Sequence, residues 1–304
     1  MTNTIFKSLT SFKPLKKTVL LAVPACLLLS GNVYSTTLFF DDFNGSALDE
    51  TAWRLPVGAG TYFGRTQIKP PDYQGQDLRP VVANGSVTLQ LDTHNASDPL
   101  YKSFWGQEIQ TRETFLPGTA GITIETRMRF LGTPAPGLVG GFFTWGYDPV
   151  TGIRDEIDVE LLTKMPNQLF TNLYNDDRFT DRGDAGFVTQ AGFNITDWNT
   201  YTIHWLPDRV QWSINGTQVR EELQTVGGHP SEVRLNIWAP DPGFDVAYSN
   251  SLQPTDAAGN IEYELEIDYV QVSSTAVVPV PTALWLFASG LLGLVGAASR
   301  HRKV

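Results

Sequence analysis

Between residues 38 and 272 the chain is a series of short runs in which apolar and polar residues alternate, and no stretch keeps the 3.6-residue period of an amphipathic helix. The clearest example is residues 201–220, where alternating runs flank Pro207-Asp208 and Asn215-Gly216. Asn-Gly is a strong signal for a two-residue hairpin, because both turn positions need positive φ. The pattern therefore predicts one all-β sandwich, since strands this short separated by frequent turns are typical of that class. The predicted strands are 86–91, 108–114, 121–130, 139–145, 169–174, 201–206, 210–214, 217–220, 233–238 and 261–272.

Size and charge narrow the function classes. The region between the two ends holds about 240 residues, which suits one large sandwich domain. The formal net charge of −10 repels polyanions, so we expect no nucleic-acid partner and rank acidic polysaccharides below neutral ones. The four histidines are scattered without ligand spacing, and the single cysteine, Cys26, cannot complete a site with them, which argues against zinc.

The amino-terminal segment has the features of a secretory signal. Four lysines between residues 7 and 17 precede the apolar run 19–29, and residues 33–35 offer small or compact side chains for cleavage. We therefore predict a signal peptide over residues 1–35. Because Cys26 lies inside it, the mature protein would contain no disulfide.

The carboxyl-terminal segment, residues 273–304, reads as a linker, a hydrophobic helix and a basic end. The apolar stretch 283–298 is shorter than the roughly 20 residues of a stable span. The arrangement resembles the PEP-CTERM sorting tail of Gram-negative bacteria, with Val280 where the commoner motif has Glu. That resemblance implies exosortase-type sorting machinery and the membrane as partners. The expected location is outside the cell, either anchored through the tail or released to the surface or extracellular matrix; an ordinary carboxyl-terminal anchor is the alternative.

One alternating run carries a row of acids. Residues 155–162 read Asp-Glu-Ile-Asp-Val-Glu-Leu-Leu, so in a strand Glu156, Asp158 and Glu160 share one face. Two carboxyl groups flanking a glycosidic bond are what sugar hydrolysis requires. The acids of residues 262–268 have the same spacing, so spacing alone favours a solvated strand face. Aromatic residues on both sides of the first run favour a sugar site there.

Several motifs occur in the order typical of one enzyme family. They are residues 41–45, 108–115, 141–145, the acidic run, 171–174, 201–210 and 236–238. With this set the chain resembles glycoside hydrolase family 16, which includes lichenases, laminarinases and xyloglucan transglycosylases. The resemblance implies a concanavalin-like jelly roll of two antiparallel sheets over residues 36–272.

The same resemblance implies roles for the acids. Glu156 would be the nucleophile, Glu160 the general acid/base, and Asp158 the residue that tunes the nucleophile in a retaining reaction. Only Val159 separates Asp158 from Glu160, and this unbulged form resembles lichenases and xyloglucan enzymes. We therefore predict a secreted endo-β-glucanase that acts on a β-1,4-containing glucan, with mixed β-1,3-1,4-glucan as the expected substrate. A transglycosylase that remodels matrix polysaccharide and a non-catalytic glycan-binding surface protein are the alternatives.

The remaining expectations concern single residues. Arg154 stands where a lichenase often has Trp, and Gln110 stands where Arg is frequent. No catalytic cofactor is expected, whereas Asp268 stands where relatives hold a structural Ca²⁺, unless it only continues an acidic face. The predicted substrate-binding residues are Glu108, Gln110, Trp145, Asn172, Tyr174 and Trp238, with core packing as the alternative for the aromatic ones; Trp205 and Trp212 are predicted in the core, and His204 at the surface or the cleft rim.

Overall fold

The computed structural model describes residues 33–56, 62–100, 102–177, 185–226 and 228–277. Most of the predicted signal peptide, and all of the predicted apolar stretch with the basic end, lie outside these ranges. Within them, no helix has the length and apolar character needed to cross a membrane.

The described residues form strands connected by turns, with a single 3-10 turn at Ala257–Gly259 as their only helical element. The strands are β1 (Val33–Asp41), β2 (Trp53–Arg54), β3 (Tyr62–Phe63), β4 (Thr66–Ile68), β5 (Asp72–Tyr73), β6 (Gln76–Asp77), β7 (Val81–Ala83), β8 (Ser86–Asp92), β9 (Phe104–Thr111), β10 (Ile122–Phe130), β11 (Val139–Asp148), β12 (Ile153–Leu162), β13 (Leu169–Asp177), β14 (Gly186–Val188), β15 (Asn199–Trp205), β16 (Val210–Ile214), β17 (Thr217–Glu222), β18 (Glu232–Trp238) and β19 (Glu262–Val277).

Two antiparallel sheets make up the jelly roll. The first is built around β19, which pairs with β10 along one edge and with β8 and β1 along the other; β15, β16 and β17 continue beyond β10. The second runs in the order β2, β9, β18, β11, β12, β13, β14. The start of β9 pairs in parallel with β4 of the first sheet, and its end pairs antiparallel with β18, so this strand links the two layers. The predicted all-β jelly roll is confirmed.

One large apolar cluster fills the space between the sheets. Strand β10 shows the alternation that produces it, with every second residue from Ile122 to Phe130 buried. Trp205 and Trp212 are fully buried, as predicted, whereas His204 is half-buried and contacts Thr123 in the first sheet. Because the second sheet contributes only its inner face to this core, its outer face is available for other chemistry.

Strand pairing at the ends extends beyond the domain limits predicted at residues 36 and 272. Val33 pairs with Val277 and Ser35 with Thr275, so the segment predicted to begin a linker continues β19. Small and β-branched residues fit a paired strand as well as a linker, which is why composition alone could not separate the two.

Candidate active site

The three acids lie in the middle of the second sheet, on β12. Alternation along this strand sends Ile157, Val159 and Leu161 into the core, where they are essentially fully buried. Arg154, Glu156, Asp158 and Glu160 therefore share the opposite face. The neighbours directly across from them on β11 and β13 are Trp145 and Tyr174 for Glu156, Phe143 and Asn172 for Asp158, and Gly141 and Phe170 for Glu160.

Pairing along the acidic run is regular. β12 stays in register with β11 from Ile153 to Leu162, and with β13 from Glu156 to Leu161. No bulge therefore interrupts the strand between Asp158 and Glu160. The irregularity in this region lies between Arg154 and Glu156 on the β13 side.

The acids open into a cavity of about 660 Å³. This volume suits a small stretch of polysaccharide, since ligand clefts commonly measure roughly 300 to 1,000 Å³. Four of the six predicted substrate-binding residues line it, namely Trp145, Asn172, Tyr174 and Trp238. The other lining residues are Phe63, Arg154, Glu156, Asp158, Glu160, Phe170, Ala185, Gly243, Phe244, Asp245 and Val246.

Aromatic rings form one wall of the cavity. Phe244 stacks on Trp238 with ring centroids 6.1 Å apart and an interplanar angle of 15°. Phe244 also meets Phe170 edge to face at 5.4 Å, and Phe63 lies 6.3 Å from Trp238. Apolar ring faces of this kind are suited to the C–H faces of pyranose rings. The sequence motifs did not identify Phe63, Phe170 or Phe244; for Phe170, the signal was its place across from Glu160 in the strand register.

Crowding sets the protonation of the acids. Burial raises the pKa of Glu160 to about 8, and the nearby Glu156 carboxylate adds to the effect. Burial also raises the pKa of Asp158 well above its ordinary value, together with the charges of Glu156 and Glu160, while Arg154 opposes the rise. The Asp158 side chain hydrogen-bonds to Glu156. A protonated Asp158 therefore donates to Glu156, and Glu160 holds a proton at neutral pH.

Arg154 supplies a cation to this site. Its Nη1 lies 2.9 Å from Glu156 Oε2, and its guanidinium carbon lies 3.6 Å from the centre of the Tyr174 ring. It also lies 5.9 Å from the centre of the Trp145 ring. One face of Tyr174 is thus in contact with a guanidinium.

Glu108 and Gln110 lie on the same sheet but do not line the cavity. Glu108 is 1% exposed; it accepts hydrogen bonds from Asn236 Nδ2 at 2.9 Å and from Gln110, and Arg234 approaches it at 3.7 Å. Gln110 in turn accepts from Arg54 Nε at 2.8 Å. Burial raises the pKa of Glu108, opposed chiefly by Arg234. Both residues were predicted to bind substrate, but the structure surrounds them with neighbouring polar side chains, away from the cavity.

The first sheet reaches through the core to hold the acidic strand. Trp212 on β16 donates a hydrogen bond from its indole nitrogen to the backbone oxygen of Asp158, at 3.0 Å. The ring is fully buried, and Arg220 lies over it at 5.0 Å. This hydrogen bond anchors the backbone between Glu156 and Glu160 from the core side of the sheet.

Asp268 lies on β19, in the first sheet. Its carboxylate accepts a hydrogen bond from Arg127 at 2.7 Å, so a guanidinium holds the position that a cation would need. Among the described residues, no group of three His, Cys, Asp or Glu side chains is arranged to hold a metal. The placement of Asp268 thus gives no support to the calcium expectation.

This arrangement places a proton donor and a second carboxyl group in one sheltered cavity with aromatic walls. Such a pair can protonate a leaving oxygen and stabilise or capture a developing oxocarbenium ion.

Proteins named as beta-glucanases are similar to this chain in sequence. It is 26% identical over 216 residues to a beta-glucanase of Brevibacillus brevis, covering 69% of this chain and 73% of the relative. It is 26% identical over 206 residues to a beta-glucanase of Bacillus subtilis strain 168, covering 66% and 74%. A xylanase/beta-glucanase of Ruminococcus flavefaciens is 25% identical over 62% of this chain, which spans only 23% of that longer protein.

Solved structures share the fold. A prokaryotic beta-1,3-1,4-glucanase (lichenase) from a mouse hindgut metagenome superposes with a TM-score of 0.58 at 23% identity, covering 79% of this chain and 99% of that one. An endo-beta-1,3-glucanase from Pyrococcus furiosus gives 0.63 at 18% identity, covering 80% and 96%. The family model for glycosyl hydrolases family 16 matches residues 73–270, which contain the acidic run, β9, β13 and β18. The chain therefore belongs to glycosyl hydrolases family 16 and is a glycoside hydrolase.

Proposed function

We propose that the protein is a retaining endo-β-glucanase that hydrolyses a β-1,4-containing glucan, with mixed-linkage β-1,3-1,4-glucan as its substrate. The observation that carries the proposal is the shared cavity, in which Glu156, Asp158 and Glu160 lie together with Asn172 and aromatic rings. Family membership and the beta-glucanase relatives support the reaction class.

In the proposed reaction Glu156 attacks the anomeric carbon while Glu160 donates its proton to the departing glycosidic oxygen. This gives a covalent glycosyl-enzyme and a shortened glucan. Glu160, now ionised, takes a proton from water, which attacks the same carbon from the face that the leaving group vacated and releases Glu156. Two displacements leave the product with the β configuration of the substrate.

Asp158 has a supporting part in this scheme. Protonated Asp158 hydrogen-bonds to Glu156, and this contact orients the nucleophile without adding a second negative charge beside it. Arg154 is an ion-pair partner on the other side of Glu156. The raised pKa of Glu160 supports its role as the acid, because a catalytic acid must hold its proton at the working pH.

The choice of substrate is supported by the uninterrupted register of β12 at Asp158 and Glu160. The solved structures that share this fold include both a beta-1,3-1,4-glucanase and an endo-beta-1,3-glucanase, so linkage has to be measured. Barley β-glucan, laminarin, xyloglucan and agarose, offered to the purified protein separately, should give reducing ends fastest from barley β-glucan. A protein that cleaves laminarin alone would contradict the proposed linkage.

The catalytic assignment is tested with Glu156→Gln, which preserves shape but removes the charge. We expect activity on the preferred glucan to fall by at least about a thousandfold, because the nucleophile is lost. Glu264→Gln is the matched control: it makes the same change in an acid with the same alternating spacing, but on β19 and outside the cavity lining. Retention is read by NMR, where the first product formed should be the β-anomer. Full activity in Glu156→Gln, or an α-anomer as first product, would contradict the mechanism.

We also propose that the protein is exported and is retained through residues 273–304 or released after processing. The motivation is the basic and apolar pattern at both ends of the sequence. Fractionation of the producing cells should place the chain outside the cytoplasm. Finding it in the cytoplasm at full length would contradict this.

A further inference from the structure

Arg154 is the one positively charged residue among the described residues that line the cavity. It precedes Glu156 by two residues on β12 and therefore lies on the same face. Its charged end is 2.9 Å from Glu156 Oε2, and the side chains of both residues are 12% exposed. An ion pair this sheltered is screened far less than a surface pair. Arg154 thus bears directly on the charge of the proposed nucleophile.

The Tyr174 ring fixes where that charge lies. The guanidinium carbon is 3.6 Å from the ring centre, the distance of a close cation–π stack. Tyr174 is also directly across from Glu156 in the strand register. Burial raises the pKa of Tyr174, and the nearby acids raise it further, so the ring stays neutral and available to the cation. The guanidinium of Arg154 is thus held by the Tyr174 ring, on which it stacks, and by the Glu156 carboxylate, which Nη1 approaches.

Burial opposes the ionisation of a carboxyl group, and the Glu156 side chain is only 12% exposed. Asp158 and Glu160 extend from the same strand; both hold protons at neutral pH and add negative charge only when they ionise. On β11 the residue across from Glu156 is the uncharged Trp145, and the charges on β18 lie one strand further away. The titratable or charged groups that face this position are Arg154, Asp158 and Glu160 on β12, Tyr174 on β13, Glu232 and Arg234 on β18, and Asp245 in the cavity wall.

We infer that Arg154 is a positioning residue that keeps Glu156 ionised among neighbouring acids, and that it extends the activity of this enzyme toward acidic pH. The inference rests on the proposed function, in which Glu156 is the nucleophile. A positive charge at hydrogen-bond distance stabilises the carboxylate over its protonated form. Lichenases often have Trp at this position, and an indole cannot supply the charge. The acid limb of activity in this protein should accordingly lie below that of its Arg154→Trp variant.

The test compares pH profiles of kcat/KM from pH 4 to 10 for the full-length wild-type protein, Arg154→Met, Arg154→Trp and Arg154→Lys, on the glucan that the wild type cleaves best. In the Met and Trp variants we expect the acid limb to move up by about one pH unit, the low end of the effect of an adjacent opposite charge. One unit below the new limb, at the wild-type midpoint, activity should then be about five- to sixfold lower than in wild type. The alkaline limb should stay in place, because its pKa arises from burial and Glu156 rather than from Arg154.

Two further variants separate charge from packing. Arg154→Lys keeps the charge but loses the planar group that stacks on Tyr174, so its acid limb should move clearly less than that of the Met variant. Arg234→Met is the matched control, because Arg234 also lies over the Trp145 ring, at 4.9 Å, but its charge partners are Glu232 and Glu108 instead of the acids on β12. Its acid limb should not move. Arg154→Trp keeps the test valid if the Met variant fails to fold, since it also removes the charge but replaces it with a large aromatic side chain.

The outcomes separate the two proposals. If the wild type cleaves none of the glucans, the proposed function is wrong. If it cleaves one of them and the folded Met or Trp variant keeps the wild-type acid limb, Arg154 does not hold the charge of Glu156 and the inference is wrong. A uniform loss of kcat/KM at every pH would mean a purely structural role and would also overturn it, as would a Lys variant that shifts as far as the Met variant.

Discussion

The pKa of Glu160 makes a sharp prediction about alkaline pH. Burial and the Glu156 carboxylate raise this pKa from 4.5 to about 8. At pH 7, one unit below it, about ten enzyme molecules hold the proton for each one that has lost it. A glutamate that kept the ordinary value would be protonated in roughly one molecule in 300 at the same pH. The crowded site thus increases the population with a competent acid by roughly 300-fold.

The expected profile follows from that value. As pH rises, kcat/KM on the polysaccharide should reach half its plateau near pH 8 and then fall by about tenfold per unit, because only the protonated form can assist the leaving oxygen. The assay is release of reducing ends in buffers of constant ionic strength from pH 5 to 10. A parallel series uses an aryl β-glycoside with a good leaving group, which needs little help from the acid. Its alkaline limb should be much weaker.

Two results would refute this reasoning. A polysaccharide rate that stays flat to pH 10 would mean that Glu160 is not the acid or that its pKa is not raised. An alkaline limb of equal depth on both substrates would mean that activity is lost through unfolding or through the titration of a group other than Glu160. Circular dichroism at each pH identifies unfolding, and Glu160→Gln should lower the polysaccharide rate by about 10²- to 10⁴-fold while abolishing the limb.

Three other predictions concern stability and packing. The folded protein holds a proton on Glu160 that the unfolded chain releases above pH 4.5. The free energy of unfolding should therefore fall as pH rises from about 4.5 to about 8, by no more than about 1.4 kcal/mol per pH unit for this group. Urea titrations should show a shallower fall in Glu160→Gln, and equal slopes in the two proteins would contradict the linkage. Trp212→Phe removes the donor to the Asp158 carbonyl, so it should lower the free energy of unfolding by about 1–3 kcal/mol and also lower kcat. In Trp205→Phe the lost donor bonds Thr225 instead, so stability should fall while kcat stays near wild type. Equal kcat values in the two variants would disprove the anchoring role. Asp268→Ala should change the free energy of unfolding by less than about 1 kcal/mol, because the side chains of Asp268 and Arg127 are each about one-third exposed. Any calcium-dependent rise in Tm should persist in this variant. Loss of such a rise would restore Asp268 as a calcium ligand.

The sequence predicted the sheet elements well because their cause is local. Alternation along residues 122–130 and Asn-Gly at 215–216 are properties of neighbouring residues. Strands β10, β16 and β18 begin and end within one residue of the predicted positions, whereas β9, predicted at 108–114, spans Phe104–Thr111. The same alternation placed Glu156, Asp158 and Glu160 on one face, where the structure has them. The extension of β1 and β19 to residues 33 and 277 was missed because it depends on pairing between segments far apart in sequence.

The cavity was harder to predict for the same reason. Phe63 and Phe244 come from parts of the chain about 180 residues apart, and only the folded arrangement brings both to Trp238. For Glu108 the motif matched the family, but the sequence did not show which side chains would surround it. Whether a polar strand residue lines a groove or joins a buried network depends on side chains from the next strand, here Arg234 and Asn236.

The cross-strand pair of Gln110 and Arg234 bears on how relatives are compared. Gln110 stands where an arginine is frequent in the family, and Arg234 is its direct partner across the ladder between β9 and β18. The guanidinium of Arg234 lies 3.7 Å from Glu108. An alignment column that records only the glutamine would miss the cation that Arg234 supplies to Glu108 from the neighbouring strand. Substitutions in such sheets are therefore better counted in cross-strand pairs than one column at a time.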